Sequence, residues 1–240
     1  MQKKDFPTIR LCNVAVHDIS LNDAVETALS PRPSPCFVAT PNALMLDACR
    51  RDADSAELLS RATLSLPDGA GVLLAAKKQK TPLGGRVAGI DFGEALLARA
   101  ARDGLRVFLL GGRDGVAQRA AEQLMARFDG LVIAGTYWGY FDRDGEDDRT
   151  VCSVIRACRT DVLLVCLGFP LQERWIVSHL HQLDGIRVVA GLGGSLDVWS
   201  GDIGRAPRLL SRIGLEWAWR MFLQPKRLRQ LPAIVRFIVK

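Results

Sequence analysis

The chain has 240 residues, 48% of them hydrophobic and 24% charged, and a formal net charge of +6. That length is enough to bury the core of one large domain or two small ones, and the composition excludes intrinsic disorder and a chain that is basic throughout. Its longest nearly uninterrupted apolar run, Val162 to Leu171, is about half of the ~20 residues a membrane-spanning helix requires, so no span is expected.

The opening Met1-Gln2-Lys3-Lys4-Asp5 lacks the apolar core of a secretion signal, which gives an expectation of cytoplasmic residence. Ile9 to Val16 reads as an extended opening segment. Ser20-Leu21-Asn22-Asp23 has the form of a capping box, followed by a helical face of Leu21, Ala24, Val25 and Ala28, and Pro31, Pro33 and Pro35 end that helix. Short apolar strands are predicted at Cys36 to Ala39, Val107 to Leu110, Leu131 to Ala134, Val162 to Leu167 and Val188 to Ala190, with an extended Thr63 to Leu66. Amphipathic helices separate them; after Gly115, Val116, Ala120, Leu124 and Phe128 recur at i+4 and form one apolar stripe.

Buried strands alternating with helices predict an α/β fold: a Rossmann-like, largely parallel sheet with helices on both faces. Ligands in such folds meet the carboxyl ends of strands. Thr40-Pro41-Asn42, Gly111-Gly112, Gly168-Phe169-Pro170 and Gly191-Leu192-Gly193-Gly194 each come directly after a predicted strand. The two glycine clusters keep backbone clear for a bulky or phosphorylated ligand, although Gly111-Gly112 lacks the full dinucleotide spacing and is equally a tight strand-to-helix turn. Pro67-Asp68-Gly69 sets a carboxylate in a turn at a strand end.

Six cysteines contain no C-x-x-C pair and read as reduced core thiols. His179 and His181 point apart, so neither a His-based metal centre nor a Ser-His-Asp triad is expected. Two D-x-D triplets, Asp52-Ala53-Asp54 in a helical stretch and Asp142-Arg143-Asp144 in a charged loop, are not expected to hold a metal.

From Asp202 to Lys240 the chain carries nine Lys or Arg against two acids, so the residues before it are close to neutral. Arg208, Arg212 and Arg220 fall on one helical stripe and Leu210, Ile213, Trp217 and Met221 on another, giving an amphipathic helix with a cationic face that Pro225 must interrupt. This divides the chain into a core, 1–201, and a basic C-terminal helical appendage, 202–240. The partner of such a terminus is anionic: a membrane surface, a polyphosphorylated substrate or RNA. So many apolar residues among the bases favour interfacial membrane contact.

Taken in order, Thr40-Pro41-Asn42, Pro67-Asp68-Gly69 with Gly71, Arg86-Val87-Ala88-Gly89, Leu110-Gly111-Gly112, Gly139-Tyr140-Phe141, Gly168-Phe169-Pro170 with Gln172-Glu173, Gly193-Gly194 with Asp197, Arg205-Ala206-Pro207 and Gly214-Leu215-Glu216-Trp217 resemble the landmarks of the WecG/TagA/CpsF family of bacterial glycosyltransferases. The resemblance runs from about Thr40 to Arg229. It implies an inverting, metal-independent transfer, without a cofactor, of a hexose or N-acetylhexosamine. The donor is a UDP-sugar and the acceptor a sugar on a polyprenyl diphosphate, at the inner face of the cell membrane, in polysaccharide biosynthesis.

By the same resemblance Asp68 matches the catalytic base, and Thr40, Asn42, Arg86 and Gln172 match polar active-site residues. Gly111, Gly112, Gly193, Gly194 and Asp197 match the nucleotide side of the pocket. The basic tail matches a membrane-binding appendage whose arginines complete the site; Arg208, Arg212, Arg220 and Arg227 are its candidates. The chain departs from the family pattern at Gln230, where a base is expected and Arg229 stands beside it. Arg86 and the tail arginines are cations suited to a departing diphosphate, through paired N–H donors. Two other classes compete. A nucleotide-dependent oxidoreductase needs an acid at the end of the strand after Gly111-Gly112, where Gly135-Thr136-Tyr137 stands instead. An RNA-binding module needs bases and aromatics spread over a folded face rather than confined to one terminus, so no nucleic-acid partner is expected.

Overall fold

A computed structural model describes residues 6–207, 210, 216–223, 228–229 and 231–239. The opening segment is a hairpin rather than one extended run: β1 (Thr8–Leu11) pairs antiparallel with β2 (Val14–His17). Cys12 and Asn13 turn the chain between them, both with positive φ (48° and 65°), the handedness that matches a two-residue hairpin loop. Then come α1 (Leu21–Leu29), β3 (Cys36–Ala39), α2 (Ala43–Arg51), α3 (Ala53–Ser60), β4 (Leu64–Ser65), α4 (Ala70–Lys78), α5 (Gly89–Asp103), β5 (Arg106–Gly111) and α6 (Val116–Arg127). The chain continues through β6 (Val132–Tyr137), α7 (Glu146–Ala157), β7 (Val162–Cys166), α8 (Leu171–His179), a short 3-10 turn, β8 (Val188–Gly191) and α9 (Ser195–Trp199). Beyond Asp202, α10 (Glu216–Leu223) and α11 (Leu231–Val239) are described.

Six strands form one wholly parallel sheet in the order β4-β3-β8-β7-β5-β6. Period-two alternation divides each strand between two apolar layers. Val38, Leu109, Leu164 and Ala190 face the layer of α1, α5, α6 and α9. Phe37, Leu110, Val165 and Val189 face the layer of α2, α3, α4, α7 and α8. Burial on both faces is why these strands read as apolar runs rather than alternating patterns. The hairpin flanks the β4 edge, where the Ser65 backbone N–H donates to His17 Nδ1 at 3.1 Å.

Most strand bounds shift by one residue, and two differences from the sequence reading are larger. Strand β6 runs on to Tyr137, so Gly135-Thr136-Tyr137 lies inside it. Asp52 breaks the helix expected across it, accepting hydrogen bonds from the Asp54 and Ser55 backbone N–H groups and capping α3. The Ser20 cap is present, its hydroxyl accepting from the Asp23 N–H, and all six cysteines are free thiols. Among the described residues no helix is long and apolar enough to cross a membrane.

Candidate active site

Because every strand of the sheet runs the same way, all their carboxyl ends lie along one edge, and the motif loops are collected there. The tightest group joins three of them. The Asp68 N–H donates to the Pro41 carbonyl at 3.1 Å, and the Val87 N–H donates to the Pro67 carbonyl at 3.0 Å. Thr40-Pro41-Asn42, Pro67-Asp68-Gly69 and Arg86-Val87 are thereby stacked by backbone bonds, with the Asp68 and Arg86 side chains half-buried. Thr40 is buried and its hydroxyl donates to the Gly191 carbonyl at 3.0 Å, tying the end of β3 to the end of β8. A Cβ at Gly89 would stand 3.1 Å from Thr40 Oγ1, so α5 begins hard against this group. Asn42 caps α2, its Oδ1 accepting from the Leu44 and Met45 N–H groups at 3.0 and 3.2 Å.

A second group braces β7 to β8. Gln172 is buried, and its Oε1 accepts from the Gly193 N–H at 2.9 Å and the Gly168 N–H at 3.3 Å. Its Nε2 donates to Glu173 Oε1 at 2.8 Å. Gly193 and Gly194 follow β8, while Asp197 is half-buried in α9, close enough to Cys166 that its charge adds to the burial pushing that thiol up to about 12. Gly111 closes β5 with φ +138°, and a Cβ there would sit 2.4 Å from the Cys166 carbonyl oxygen. Gly112 accepts the Gly139 N–H at 2.8 Å, which joins the Gly139-Tyr140-Phe141 loop to it. Three strands separate β5 from β4. At ~4.8 Å per strand the Gly111-Gly112 turn is about 19 Å from the Asp68 turn, and the Gly193-Gly194 turn about 10 Å. The latter glycines are the nearer of the two pairs to Asp68.

The electrostatics of the edge come from helix ends and a chain of ion pairs. Helices α4, α5, α6, α8 and α9 begin there at Gly69, Ala88, Gly115, Pro170 and Gly194 with no side-chain cap, whereas α1, α2 and α3 are capped. Uncapped N–H groups and aligned peptide dipoles favour an anion. Arg86 Nη2 is 3.9 Å from Asp91 Oδ2, and Asp91 also pairs with Arg205. Arg205 bonds Glu94 at 3.1 Å, and Arg127 and the Trp199 indole donate to Glu94 at 2.6 and 3.3 Å. Burial alone would raise the Glu94 pKa, but Arg127 and Arg205 outweigh it and leave the carboxyl below its usual range.

The tail arginines Arg208, Arg212 and Arg227, and the side chain of Arg220, lie outside the described residues. In α10, α11 and the segment between them, Met221, Ile234 and Phe237 are buried, and Phe222, Leu223, Leu228 and Leu231 are exposed, Phe222 at 77%. Part of the apolar surface expected to meet a membrane thus packs inward. Asp91, Glu94 and the carboxyl of Glu173 were not singled out from sequence. Asp91 and Arg205 are 114 positions apart, and no local pattern joins them.

A parallel α/β sheet with glycine loops, a turn-borne carboxylate and arginines along its carboxyl edge belongs to the class of open α/β folds, in which ligands bind in the crevice at the strand ends. The comparisons narrow that class. The model of the glycosyl transferase WecG/TagA/CpsF family matches residues 9–240, and the chain belongs to this family. It is 35% identical over 214 residues to an N-acetylglucosaminyldiphosphoundecaprenol N-acetyl-beta-D-mannosaminyltransferase of Bacillus spizizenii, covering 89% of this chain and 81% of that one. A protein of the same name from Staphylococcus aureus strain MRSA252 is 33% identical over 204 residues, 85% of this chain and 78% of its own.

Proposed function

We propose that the chain is an inverting glycosyltransferase that moves an N-acetylhexosamine or hexose from a UDP-sugar to a sugar carried on a polyprenyl diphosphate, in cell-surface polysaccharide assembly. The observation that carries this reading is the stacking of the Asp68 turn on Pro41 and of Val87 on Pro67, which brings a half-buried carboxylate and an arginine together at an edge of uncapped helix ends. The relatives are named as N-acetyl-β-D-mannosaminyltransferases of N-acetylglucosaminyldiphosphoundecaprenol, so an N-acetylmannosamine donor with that acceptor is the first pair to test. A sugar nucleotide of α configuration yields a β product by one displacement, which calls for one base.

In that displacement Asp68 accepts the proton of the acceptor hydroxyl as its oxygen bonds to the anomeric carbon. The bond from that carbon to the diphosphate oxygen breaks, and UDP leaves with the electron pair. Arg86, the helix N-termini and one or more of Arg208, Arg212, Arg220 and Arg227 take up the charge. Thr40 and Asn42 shape the sugar site, Gln172 acts through the loops it braces, and Gly193, Gly194 and Asp197 adjoin the nucleotide, with Gly111 and Gly112 further along the edge. No step calls for a metal or an organic cofactor. The appendage, 202–240, binds the inner face of the membrane through its bases and exposed apolar side chains, leaving the protein peripheral and cytoplasmic.

UDP release from a panel of UDP-sugars, with a short-chain polyprenyl-diphosphate N-acetylglucosamine as acceptor, tests the reading. Asp68→Asn is expected to lower kcat by roughly 10²- to 10⁴-fold, the range of a positioned general base. Wild-type protein inactive with every donor, or an Asp68→Asn variant as fast as wild type, would overturn it.

A further inference from the structure

Glu173 is completely buried, and one of its oxygens, Oε2, has no hydrogen-bond partner among the described residues. A buried carboxyl with an unsatisfied oxygen is costly, and an apolar side chain of similar size would fill the same space without that cost. Burial pushes its pKa up to about 7. Such an exception calls for an explanation, and its other oxygen supplies one.

Glu173 Oε1 is the acceptor for Gln172 Nε2 at 2.8 Å. The Gln172 amide has two unlike ends. Its oxygen receives two backbone N–H groups, from Gly193 at 2.9 Å and Gly168 at 3.3 Å. Turned the other way, an NH2 group would face both N–H groups and all three contacts would be lost. The two backbone donors and the acceptor on the far side select the same orientation, and Glu173 anchors the end of the amide that the loops do not. Space is made for the pair by Gly191, where a Cβ would stand 2.9 Å from Gln172 Nε2 and 3.4 Å from Glu173 Oε1. Gly191 is also the residue whose carbonyl accepts from Thr40. Gly168 and Gly193 hold positive φ (78° and 53°), so the two loops are shaped by glycine backbones that need an external anchor to stay ordered.

We infer that Glu173 is a positioning residue for sugar transfer, resting on the glycosyltransferase reading above: its buried carboxyl fixes the Gln172 amide, which in turn holds the Gly168 and Gly193 loops on either side of the donor site. It touches no reacting atom. The chain of bonds runs from Glu173 through Gln172 to two strand ends.

The test has a readout that does not depend on activity. In the wild type the Gly168 and Gly193 amides should exchange with solvent as slowly as core amides, measured by NMR on the full chain. Glu173→Met removes the acceptor at similar volume and should speed exchange at both amides about tenfold or more, the scale of one lost buried hydrogen bond. Donor KM should rise by a similar factor with a smaller change in kcat. Glu173→Gln restores an acceptor oxygen and should rescue both measurements. The double variant Gln172→Met/Glu173→Met should be no worse than Gln172→Met, since the effect passes through Gln172. Fast exchange at both amides in the wild type overturns the inference whether or not Glu173→Met folds; so does wild-type exchange in Glu173→Met, or additive effects in the double variant. Wild type lacking turnover with every donor would count against the transferase reading alone, because the exchange measurements still decide the role of Glu173.

Discussion

Arg236 in the last helix donates through Nη2 to Asp47 Oδ2 at 3.1 Å, across 189 positions of sequence. Asp47 is fully buried and also pairs with Arg50 at 2.7 Å and Arg51 at 3.2 Å. It lies in α2, the helix that begins after Asn42. Beside it Ile234 and Phe237 are buried, and Phe237 Cδ1 is 4.0 Å from where a Cβ on Gly71 would be, in the first turn of the helix that begins after Asp68. The end of the chain is therefore packed on the two helices whose first residues follow the candidate catalytic loops.

Phe237→Ala should destabilise the folded chain by about 3 kcal/mol, the lower end for deleting a buried aromatic ring. Arg236→Ala should cost no more than about 1 kcal/mol, because that side chain is 41% exposed and Asp47 keeps two other partners. Urea unfolding of both variants checks the ranking, and equal effects would mean that charge rather than packing holds the last helix.

Asp91 stands between Arg86 and Arg205. Removing Arg205 leaves Asp91 to Arg86, which then competes with the donor diphosphate for the same guanidinium. Arg205→Ala should raise donor KM roughly two- to fivefold, the equivalent of an exposed ion pair, with kcat little changed. A fall in kcat at constant KM would assign Arg205 to the reacting centre instead.

His179 joins α8 to α7. Its Nδ1 faces the Trp175 carbonyl and its Nε2 faces Asp148 Oδ2, both at 2.7 Å, so both ring nitrogens face acceptors and the imidazolium form satisfies them together. Cys152, with the Trp175 carbonyl and Asp148, raises its pKa to about 9 against the lowering effect of burial. A raised folded pKa stabilises fully below the unfolded value of about 6.5, and that stabilisation is lost as pH rises through about 9. His179→Gln should thus lie about 2–3 kcal/mol below wild type at pH 6, and the gap should close by about pH 10. A gap that does not change with pH in urea titrations would refute the charged assignment.

Phe222, Leu223, Leu228 and Leu231 are exposed in the basic C-terminal segment. If they enter a leaflet, Phe222→Ser should weaken sedimentation with anionic vesicles roughly tenfold, by loss of one buried aromatic side chain. Raising salt should weaken it further, and neutral vesicles should bind less. Binding unchanged by both substitution and salt would remove the membrane role from these residues.

Much of this was legible in the chain as written. Strands buried on both faces must be short apolar runs, so Cys36–Ala39 was read with its boundaries intact, and Val162–Cys166 to within one residue. A parallel sheet requires its loops at the ends of those runs, so Thr40, Asp68, Gly111, Gln172 and Gly193 all lie along its carboxyl edge. Local chemistry was legible too: the Ser20 cap is a contact over three residues. The hairpin turn at Cys12-Asn13 escaped, since it lacks the glycine that marks such turns. The break at Asp52 escaped as well, because an aspartate inside an apparent helix reads as a surface residue until its carboxyl is seen to cap the next one.

The sequence by itself determined that alternating elements build a parallel α/β sheet, that its motif loops share one edge, and that positive charge is concentrated at the C-terminus. Only the tertiary structure decided the strand order, and with it that Gly193-Gly194, not Gly111-Gly112, is the glycine turn nearer Asp68. It alone brought Arg205 to Asp91, Arg236 to Asp47 and Glu173 beneath Gly191. The division has a physical cause. Hydrophobic periodicity and capping act over a few residues and are written locally, whereas the pairing of buried charges and amides depends on which surfaces meet when the layers close, and that is set by packing across more than a hundred positions.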